Sequence, residues 1–154
     1  MRVSRRTFLL GYAALWCMPT PSRAVAELDQ PAPALRGKLI DGTEFDLAAM
    51  KGKVVLINFY SSFCKYCAYE IGNIETFYED HKAKGFEVIA VGVDRIEDKE
   101  RVARQLGIYN LPGAMVQELQ ANEFGKSYPT PTCFIIDRQG IVRQRLWGAK
   151  TLPQ

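Results

Sequence analysis

Two continuous apolar runs of strand length organise the chain, one at residues 53–60 and one at residues 86–94. Each follows a glycine and is rich in β-branched side chains, as is typical of strands buried on both faces of a sheet. Between the runs, apolar residues recur at helical spacing from Ala68 to Tyr78, and the basic segment before Gly85 is typical of a helix end. This order of strand, helix and strand predicts a right-handed crossover and parallel pairing.

The same patterns predict further elements on both sides of this unit. Upstream, residues 35–40 and 43–47 flank Asp41-Gly42, a preferred two-residue turn, and therefore predict a hairpin. Residues 48–52 predict a brief helical turn. Downstream we predict a charged amphipathic helix at 97–106, a short strand near 113–116, a short helix near 118–124, and two antiparallel strands on either side of a turn at 137–140.

Composition changes this picture little, because the net charge is concentrated at one end. The chain has 154 residues, of which 47% are hydrophobic, and this is enough for one domain with a sizeable core. Residues 1–26 hold four arginines and no acidic residue, and the remainder carries 16 basic and 17 acidic side chains. This balance indicates neither a nucleic-acid partner nor an anionic membrane, and no segment has the roughly 20 apolar residues of a membrane span.

The N-terminus has the features of an export signal. The paired Arg5 and Arg6 precede a short apolar stretch, and small residues end a polar segment at Ala26, after which we expect cleavage. The paired arginines favour the twin-arginine route, and a Sec signal is the alternative. A Pro-rich lead at 27–34 is expected to run extended over the surface without packing, and a globular domain is expected at 35–154.

Cys64 and Cys67 stand where the first apolar run ends and the predicted helix begins. On one helical turn their Cα atoms lie about 5 Å apart, within the range that a disulfide spans. Backbone N–H groups and the helix dipole favour a thiolate at Cys64, and Lys65 adds a positive charge. Cys67 lies one turn further in and is expected to be buried. We therefore predict a redox-active disulfide in which Cys64 attacks substrates and Cys67 resolves the mixed disulfide.

A structural zinc site is the alternative use of a C-x-x-C motif. It needs a second pair of ligands, which Cys17, Cys133 and His81 do not supply at the usual spacing. A strand that turns into a helix favours the redox interpretation instead. We therefore expect no metal and no cofactor.

Several motifs together resemble those of the TlpA/ResA-like family, which are exported thiol-disulfide oxidoreductases of thioredoxin-like fold. The motifs are the hairpin, the aromatic end of the strand before C-x-x-C, an acid three residues after Cys67, and the pattern T-P-T-x-F-I-I-D-x-x-G at 130–140. The resemblance runs from about Ala34 to Gly148. It implies an α/β, thioredoxin-like fold with an N-terminal β-hairpin and a central mixed β-sheet flanked by helices.

The resemblance also implies roles for residues beside the cysteine pair. The Thr130-Pro131 peptide bond is implied to be cis and to lie against the pair, which leaves the Thr130 backbone free to pair with a substrate peptide. Phe63 and Tyr66 complete the expected substrate-binding residues. Glu70 is implied to lie beneath the disulfide, where it exchanges a proton with the sulfur of the second cysteine.

With the export signal, the resemblance predicts a periplasmic enzyme that reduces disulfides of substrate proteins. The family suggests apocytochrome c or the copper-site cysteines of an oxidase as substrates, and a membrane thiol-disulfide donor as the source of electrons. Tyr66 occurs where many relatives have proline. A tyrosine directly before the second cysteine is similar to the motif of the periplasmic disulfide isomerases, so an oxidase or isomerase is the alternative.

Two rival functions on a similar fold are less well supported by the residues. A copper metallochaperone is expected to have C-x-x-x-C and a histidine near the second half of the domain, whereas this chain has C-x-x-C and only His81. A peroxidase is expected to depend on one peroxidatic cysteine and not on a pair. We therefore predict a thiol-disulfide oxidoreductase.

Two further expectations concern the end of the chain. Residues 149–154 are too short for the helix that closes the fold in this family, so we expect that terminal helix to be missing. An uncovered sheet face then predicts either a homodimer or reduced stability. Cys133 lies in a predicted core strand and is expected to be a small buried hydrophobic residue with no redox role.

Overall fold

The structure of the protein, a computed structural model, describes residues 26–125 and 129–148. Its strands and α-helices follow in this order: β1 Leu35–Lys38, β2 Glu44–Asp46, β3 Val54–Tyr60, α1 Lys65–His81, β4 Phe86–Gly92, α2 Lys99–Ile108, β5 Gly113–Met115, β6 Leu119–Asn122, β7 Thr132–Ile136 and β8 Val142–Trp147. Short 3-10 turns lie at Leu47–Met50, Lys82–Lys84, Ile96–Asp98 and Val116–Glu118.

The strand β3 lies at the centre of a five-stranded mixed sheet with the order β5-β4-β3-β7-β8. It pairs parallel with β4, which pairs parallel with β5, whereas β7 runs antiparallel to both β3 and β8. All residues of β3 after Val54 are buried, because the strand has neighbours on both edges and cover on both faces. The predicted parallel unit and the mixed sheet are confirmed.

The two faces of this sheet are covered by different kinds of structure. Helices α1 and α2 pack on one face, in a layer that includes Ile74 and Leu106. A second sheet with the order β2-β1-β6 packs on the other face, where Leu35 joins an aromatic cluster that contains Phe59 and Phe134. The predicted N-terminal hairpin is therefore part of the second sheet, and the predicted thioredoxin-like fold is confirmed.

The short helix predicted near 118–124 is wrong. Its first residue ends a 3-10 turn, and the next four residues form β6, which pairs antiparallel with β1. Leu119 lies opposite Gly37, and a Cβ on this glycine would lie 2.9 Å from the Leu119 Cα. The absence of a side chain at Gly37 thus allows the two backbones to approach. Pairing with a strand that is distant in sequence overrides the local helix propensity.

The Pro-rich lead also differs from its prediction, because it packs against the end of β8. The amide of Asp29 donates to the carbonyl of Val142, and the amide of Ala32 donates to the carbonyl of Gly140, both at 2.8 Å. Pro33 is buried. Proline keeps the lead extended, but Asp29 and Ala32 retain their N–H groups, and Ala32 has a small apolar side chain. These groups attach the lead to the sheet.

Two predictions fall mainly on residues outside the described ranges. The export signal concerns residues up to Ala26, of which the structure describes Ala26 alone, and this residue is 3% exposed. The missing terminal helix concerns residues 149–154, which also lie outside the described ranges. Both remain predictions.

Candidate active site

The end of β3 and the start of α1 place the cysteine pair. Cys64 is the N-cap of α1, with extended backbone at φ −85° and ψ 113°. The Cα atoms of Cys64 and Cys67 are 5.2 Å apart, and the two sulfurs are joined as a disulfide. The structure therefore has the disulfide that the spacing predicts, on the first turn of the helix.

The two sulfurs of this disulfide have different surroundings. Cys64 is half-buried, and its Sγ accepts a hydrogen bond from the backbone N–H of Cys67 at 3.2 Å. Cys67 is 0% exposed and belongs to the apolar layer between the helices and the sheet. An N–H donor at a helix N-terminus stabilises negative charge on the Cys64 sulfur. Cys64 is therefore the less buried of the two cysteines, and its sulfur has a donor that would stabilise a thiolate.

A second chain segment lies beside the exposed sulfur. The peptide bond between Thr130 and Pro131 is cis, and the carbonyl oxygen of Thr130 lies 3.8 Å from the Cys64 Sγ. Pro131 is buried, and its carbonyl accepts a hydrogen bond from the amide of Gly148 at 3.0 Å. The backbone that the family resemblance assigns to substrate binding thus lies next to the cysteine that is expected to attack.

Two aromatic side chains near Cys64 in sequence are largely exposed. Phe63 is 61% exposed and Tyr66 is 71% exposed, although rings of this size are usually more buried. The guanidinium of Arg101 lies over the Phe63 ring, 4.5 Å from its centroid. The site therefore presents apolar surface to an incoming chain.

Glu70 follows Cys67 by one turn on the buried side of α1 and is 4% exposed. The Nδ2 of Asn58 donates to its Oε2 at 3.0 Å, and the Sγ of Cys133 lies 3.6 Å from the same oxygen. Cys133 is buried as expected, but it has polar contacts that the sequence did not predict. The Glu70 carboxyl therefore has protein partners in place of bulk water.

Sequence reasoning missed three residues that support the site. Asn58 is the one polar side chain within the apolar run of β3, and that position was the available signal. Asp94, which is 6% exposed, accepts from the Oγ of Ser61 at 2.7 Å and from the amide of Ser62 at 2.9 Å. It therefore holds the turn before the cysteine pair. Nothing in the pattern distinguishes Arg101 from the other charged residues of its helix.

The site contains thiol and carboxyl groups but no metal-binding cluster. Among residues 26–125 and 129–148, no three His, Cys, Asp or Glu side chains are grouped so that they could hold a metal ion. His81 ends α1, and its Nδ1 lies 2.8 Å from the carbonyl of Phe77. It is about 20 Å along the helix from Cys67, at 1.5 Å per residue. In the same ranges, no helix has the length and apolar character to cross a membrane.

Comparisons with known proteins identify a family and relatives of this chain. The profile of the AhpC/TSA family matches residues 28–145. The thiol-disulfide oxidoreductase ResA of Bacillus thuringiensis subsp. konkukian is 32% identical over 131 residues, which cover 83% of this chain and 74% of the relative. ResA of Geobacillus kaustophilus is 30% identical over 143 residues, or 92% of this chain and 81% of the relative.

A solved structure supports the fold. It is a thiol:disulfide interchange protein of the thioredoxin family from Chlorobium tepidum, with a TM-score of 0.68 and 24% identity. The match covers 80% of this chain and 89% of the other.

Proposed function

The chain belongs to the AhpC/TSA family and is, like its ResA relatives, a thiol-disulfide oxidoreductase, and from this premise we propose that it reduces disulfides of exported proteins. One observation carries the proposal: the sulfur of Cys64 is reachable at the start of α1, whereas Cys67 is 0% exposed one turn below. Exchange with a protein substrate requires such a pair, because the first sulfur must meet a bulky partner and the second must act only within the mixed disulfide.

The cycle begins with the reduced protein. The Cys64 thiolate attacks one sulfur of a substrate disulfide, forms a mixed disulfide and expels the other substrate sulfur, which takes up a proton. Cys67 then gives its proton to Glu70 and attacks the sulfur of Cys64. The second substrate sulfur leaves and is protonated. The substrate has gained two electrons and two protons, and Cys64 and Cys67 are left as the disulfide of the structure.

Four residues around Cys64 are proposed to hold the substrate. The carbonyl oxygen of Thr130, 3.8 Å from the attacking sulfur, offers an acceptor to a backbone N–H of the substrate. Pro131 is buried behind it, and the exposed rings of Phe63 and Tyr66 offer apolar contact. Recognition through backbone groups suits substrates of different sequence, because every peptide carries them.

The proposed place of the reaction is the periplasm. The support is the predicted export signal, and its test is the N-terminus of the exported protein, which mass spectrometry should find at Glu27. Apocytochrome c and oxidase copper-site cysteines are the proposed substrates. A membrane thiol-disulfide protein is the proposed donor, and it must supply two electrons for each substrate disulfide. Intact Met1 on protein that remains in the cytoplasm would contradict the location.

A thiol-disulfide exchange assay tests the activity. Pre-reduced protein is mixed with a peptide that contains one disulfide, and free thiols on protein and peptide are counted separately. We expect each protein molecule to lose two thiols as one peptide disulfide is reduced. Cys64→Ser should be inactive. If the wild-type protein leaves the peptide oxidised, the proposed function is wrong.

An oxidase or isomerase function is the second candidate, and the surroundings of Cys64 favour it in one respect. The hydrogen bond from the Cys67 amide and the neighbouring Lys65 stabilise a thiolate on Cys64, which favours the reduced pair and a more oxidising potential. Glu70 acts in the opposite direction, because its negative charge disfavours a thiolate nearby. Equilibration with glutathione measures the reduction potential of the Cys64–Cys67 pair and so distinguishes the two candidate functions. We expect a potential below about −200 mV, whereas a value near −120 mV would indicate an oxidase.

A further inference from the structure

Three polar side chains are buried together behind the cysteine pair. Asn58 on β3, Glu70 on α1 and Cys133 on β7 are 1%, 4% and 3% exposed. Cys133 belongs to the same apolar layer as Cys67. The exchange proposed above uses Glu70 as proton acceptor but gives no role to the thiol of Cys133.

Each of the three side chains contacts the other two. The Nδ2 of Asn58 lies 3.0 Å from the Oε2 of Glu70 and 3.0 Å from the Sγ of Cys133. The Cys133 Sγ in turn lies 3.6 Å from the same Oε2, within reach of an S–H···O hydrogen bond. Backbone pairing supports this geometry, because Asn58 and Cys133 lie opposite each other on the antiparallel strands β3 and β7. The two strands therefore direct two donors at one carboxylate oxygen.

The thiol of Cys133 keeps its proton and so remains a donor. Burial and, to a smaller extent, the charge of Glu70 raise the pKa of the Cys133 thiol to about 12. Residues that pair with the cluster from the neighbouring strands do not titrate. Ala90 on β4 lies opposite Asn58, Leu146 on β8 lies opposite Cys133, and Cys67 on α1, in the same layer, is part of the disulfide. At physiological pH the thiol is therefore a hydrogen-bond donor and not a nucleophile.

We propose that Cys133 is a positioning residue whose S–H group, together with Asn58, holds the Glu70 carboxylate where it takes the proton of Cys67. The inference rests on the proposed function, because it gives a partner to the proton acceptor of that reaction. Donation to a carboxylate favours its ionised form, which is the form that accepts a proton. Serine at position 133 keeps a donor, whereas valine, of similar size, has none. The two substitutions separate the hydrogen bond from the packing.

An NMR titration of the oxidised protein tests the contact without depending on activity. Isotope-labelled glutamate side chains are followed against pH, and Glu70→Gln identifies the Glu70 signal by its loss. Cys133→Val should raise the titration midpoint of Glu70 by roughly 0.5 to 1 pH unit, because the ionised form loses a donor. Cys133→Ser should leave the midpoint at or below that of the wild type. An unchanged midpoint in folded Cys133→Val overturns the inference, and Cys133→Ala replaces that variant if it does not fold.

The kinetics of exchange distinguish a failure of this inference from a failure of the proposed function. The pH at which the resolving step reaches half its maximal rate should rise in Cys133→Val by the shift found by NMR. Cys133→Ser should restore the wild-type profile. In Glu70→Gln protein, addition of Cys133→Val should not change the pH dependence of the resolving step any further. A further shift in a double variant that still carries out exchange overturns the inference. If Cys133→Val shows the NMR shift but the wild-type protein shows no exchange, the proposed function fails and the hydrogen bond stands.

Discussion

At the scale of single residues, the chemistry of the site depends on where each sulfur lies relative to the start of α1. Cys64 caps the helix, and its Sγ accepts a hydrogen bond from the amide of Cys67. Cys67 and Glu70 lie on the buried side of the same helix. Access to solvent and stabilisation of charge therefore differ between two sulfurs that are one turn apart. The roles proposed for them follow from position, because the two side chains are chemically identical.

The first prediction assigns these roles by trapping the intermediate. Cys67→Ser should accumulate covalent complexes with substrate proteins, because the mixed disulfide on Cys64 cannot be resolved. Cys64→Ser should accumulate few or none, since the buried sulfur of Cys67 does not reach a protein substrate. Non-reducing gels measure the complexes, which dithiothreitol should dissolve. Equal trapping by both variants would show that burial and the helix N-terminus do not determine the attacking sulfur.

The second prediction concerns the proton of Cys67. Glu70→Gln should form the mixed disulfide at the wild-type rate but resolve it about 100-fold more slowly or worse, as the loss of a general base does. Rapid quenching with acid separates the two steps. Glu79→Gln is the matched control, because its carboxylate is exposed on the same helix and pairs with Lys82 at 2.7 Å. Resolution at the wild-type rate in Glu70→Gln would mean that Cys67 loses its proton by another route.

At the scale of elements, burial determines what the sequence could predict. The central strands β3 and β4 are covered on both faces, so their apolar runs are continuous, and α1 has a clear helical period. The strand β6 is short and only half-buried, and it forms because β1 offers an edge for pairing. That edge comes from a distant part of the chain, so no local pattern could indicate it.

The third prediction tests the packing of α2 against the sheet through two glycines. A Cβ on Gly113 would collide with the side chain of Leu106 and lie 2.8 Å from the carbonyl oxygen of Ala90. Gly113→Ala should therefore lower the free energy of unfolding by about 1 to 3 kcal/mol, as overpacking does. At Gly107, near the end of α2, a Cβ would meet no atom within 4 Å beyond its chain neighbours and the backbone of its own helix. Gly107→Ala should raise the free energy of unfolding by about 0.5 to 1 kcal/mol.

Urea unfolding of both variants measures this difference. Because the substitution is chemically the same at the two sites, it isolates the close approach at Gly113. Two variants of equal stability would show that Leu106 and the β4 backbone move aside at little cost.

At the scale of the whole molecule, the site is assembled from segments that are distant in sequence. Cys64 and Cys67 share one helical turn, so their spacing alone indicated them, whereas the role of Glu70 one turn further came from a family resemblance. The position of Thr130 beside the pair came from a family resemblance, and the contact of Asn58 with Cys133 came from neither. That contact depends on the register between β3 and β7, which side-chain patterns along either strand do not define.

The same assembly couples the disulfide to the stability of the fold. Reduction leaves a thiol on Cys67, which is 0% exposed and lies one turn before Glu70 in the apolar layer. The disulfide restricts the unfolded chain, and the reduced form must also bury this thiol away from water, so the oxidised protein should be the more stable form. By linkage, the folded pair is then more reducing than the same cysteines in the unfolded chain. Each 1.4 kcal/mol by which the oxidised form is more stable than the reduced form lowers the reduction potential by about 30 mV.

The fourth prediction is therefore that the oxidised form exceeds the reduced form in free energy of unfolding by about 1 to 3 kcal/mol, the order expected when a short disulfide loop restricts the unfolded chain. Urea unfolding with and without dithiothreitol measures the difference. The variant that carries both Cys64→Ser and Cys67→Ser is the control, and its stability should not respond to dithiothreitol. A reduced form more stable than the oxidised form would mean that thiolate stabilisation at Cys64 outweighs the burial of the Cys67 thiol. The pair would then be an oxidant, as the second candidate function requires.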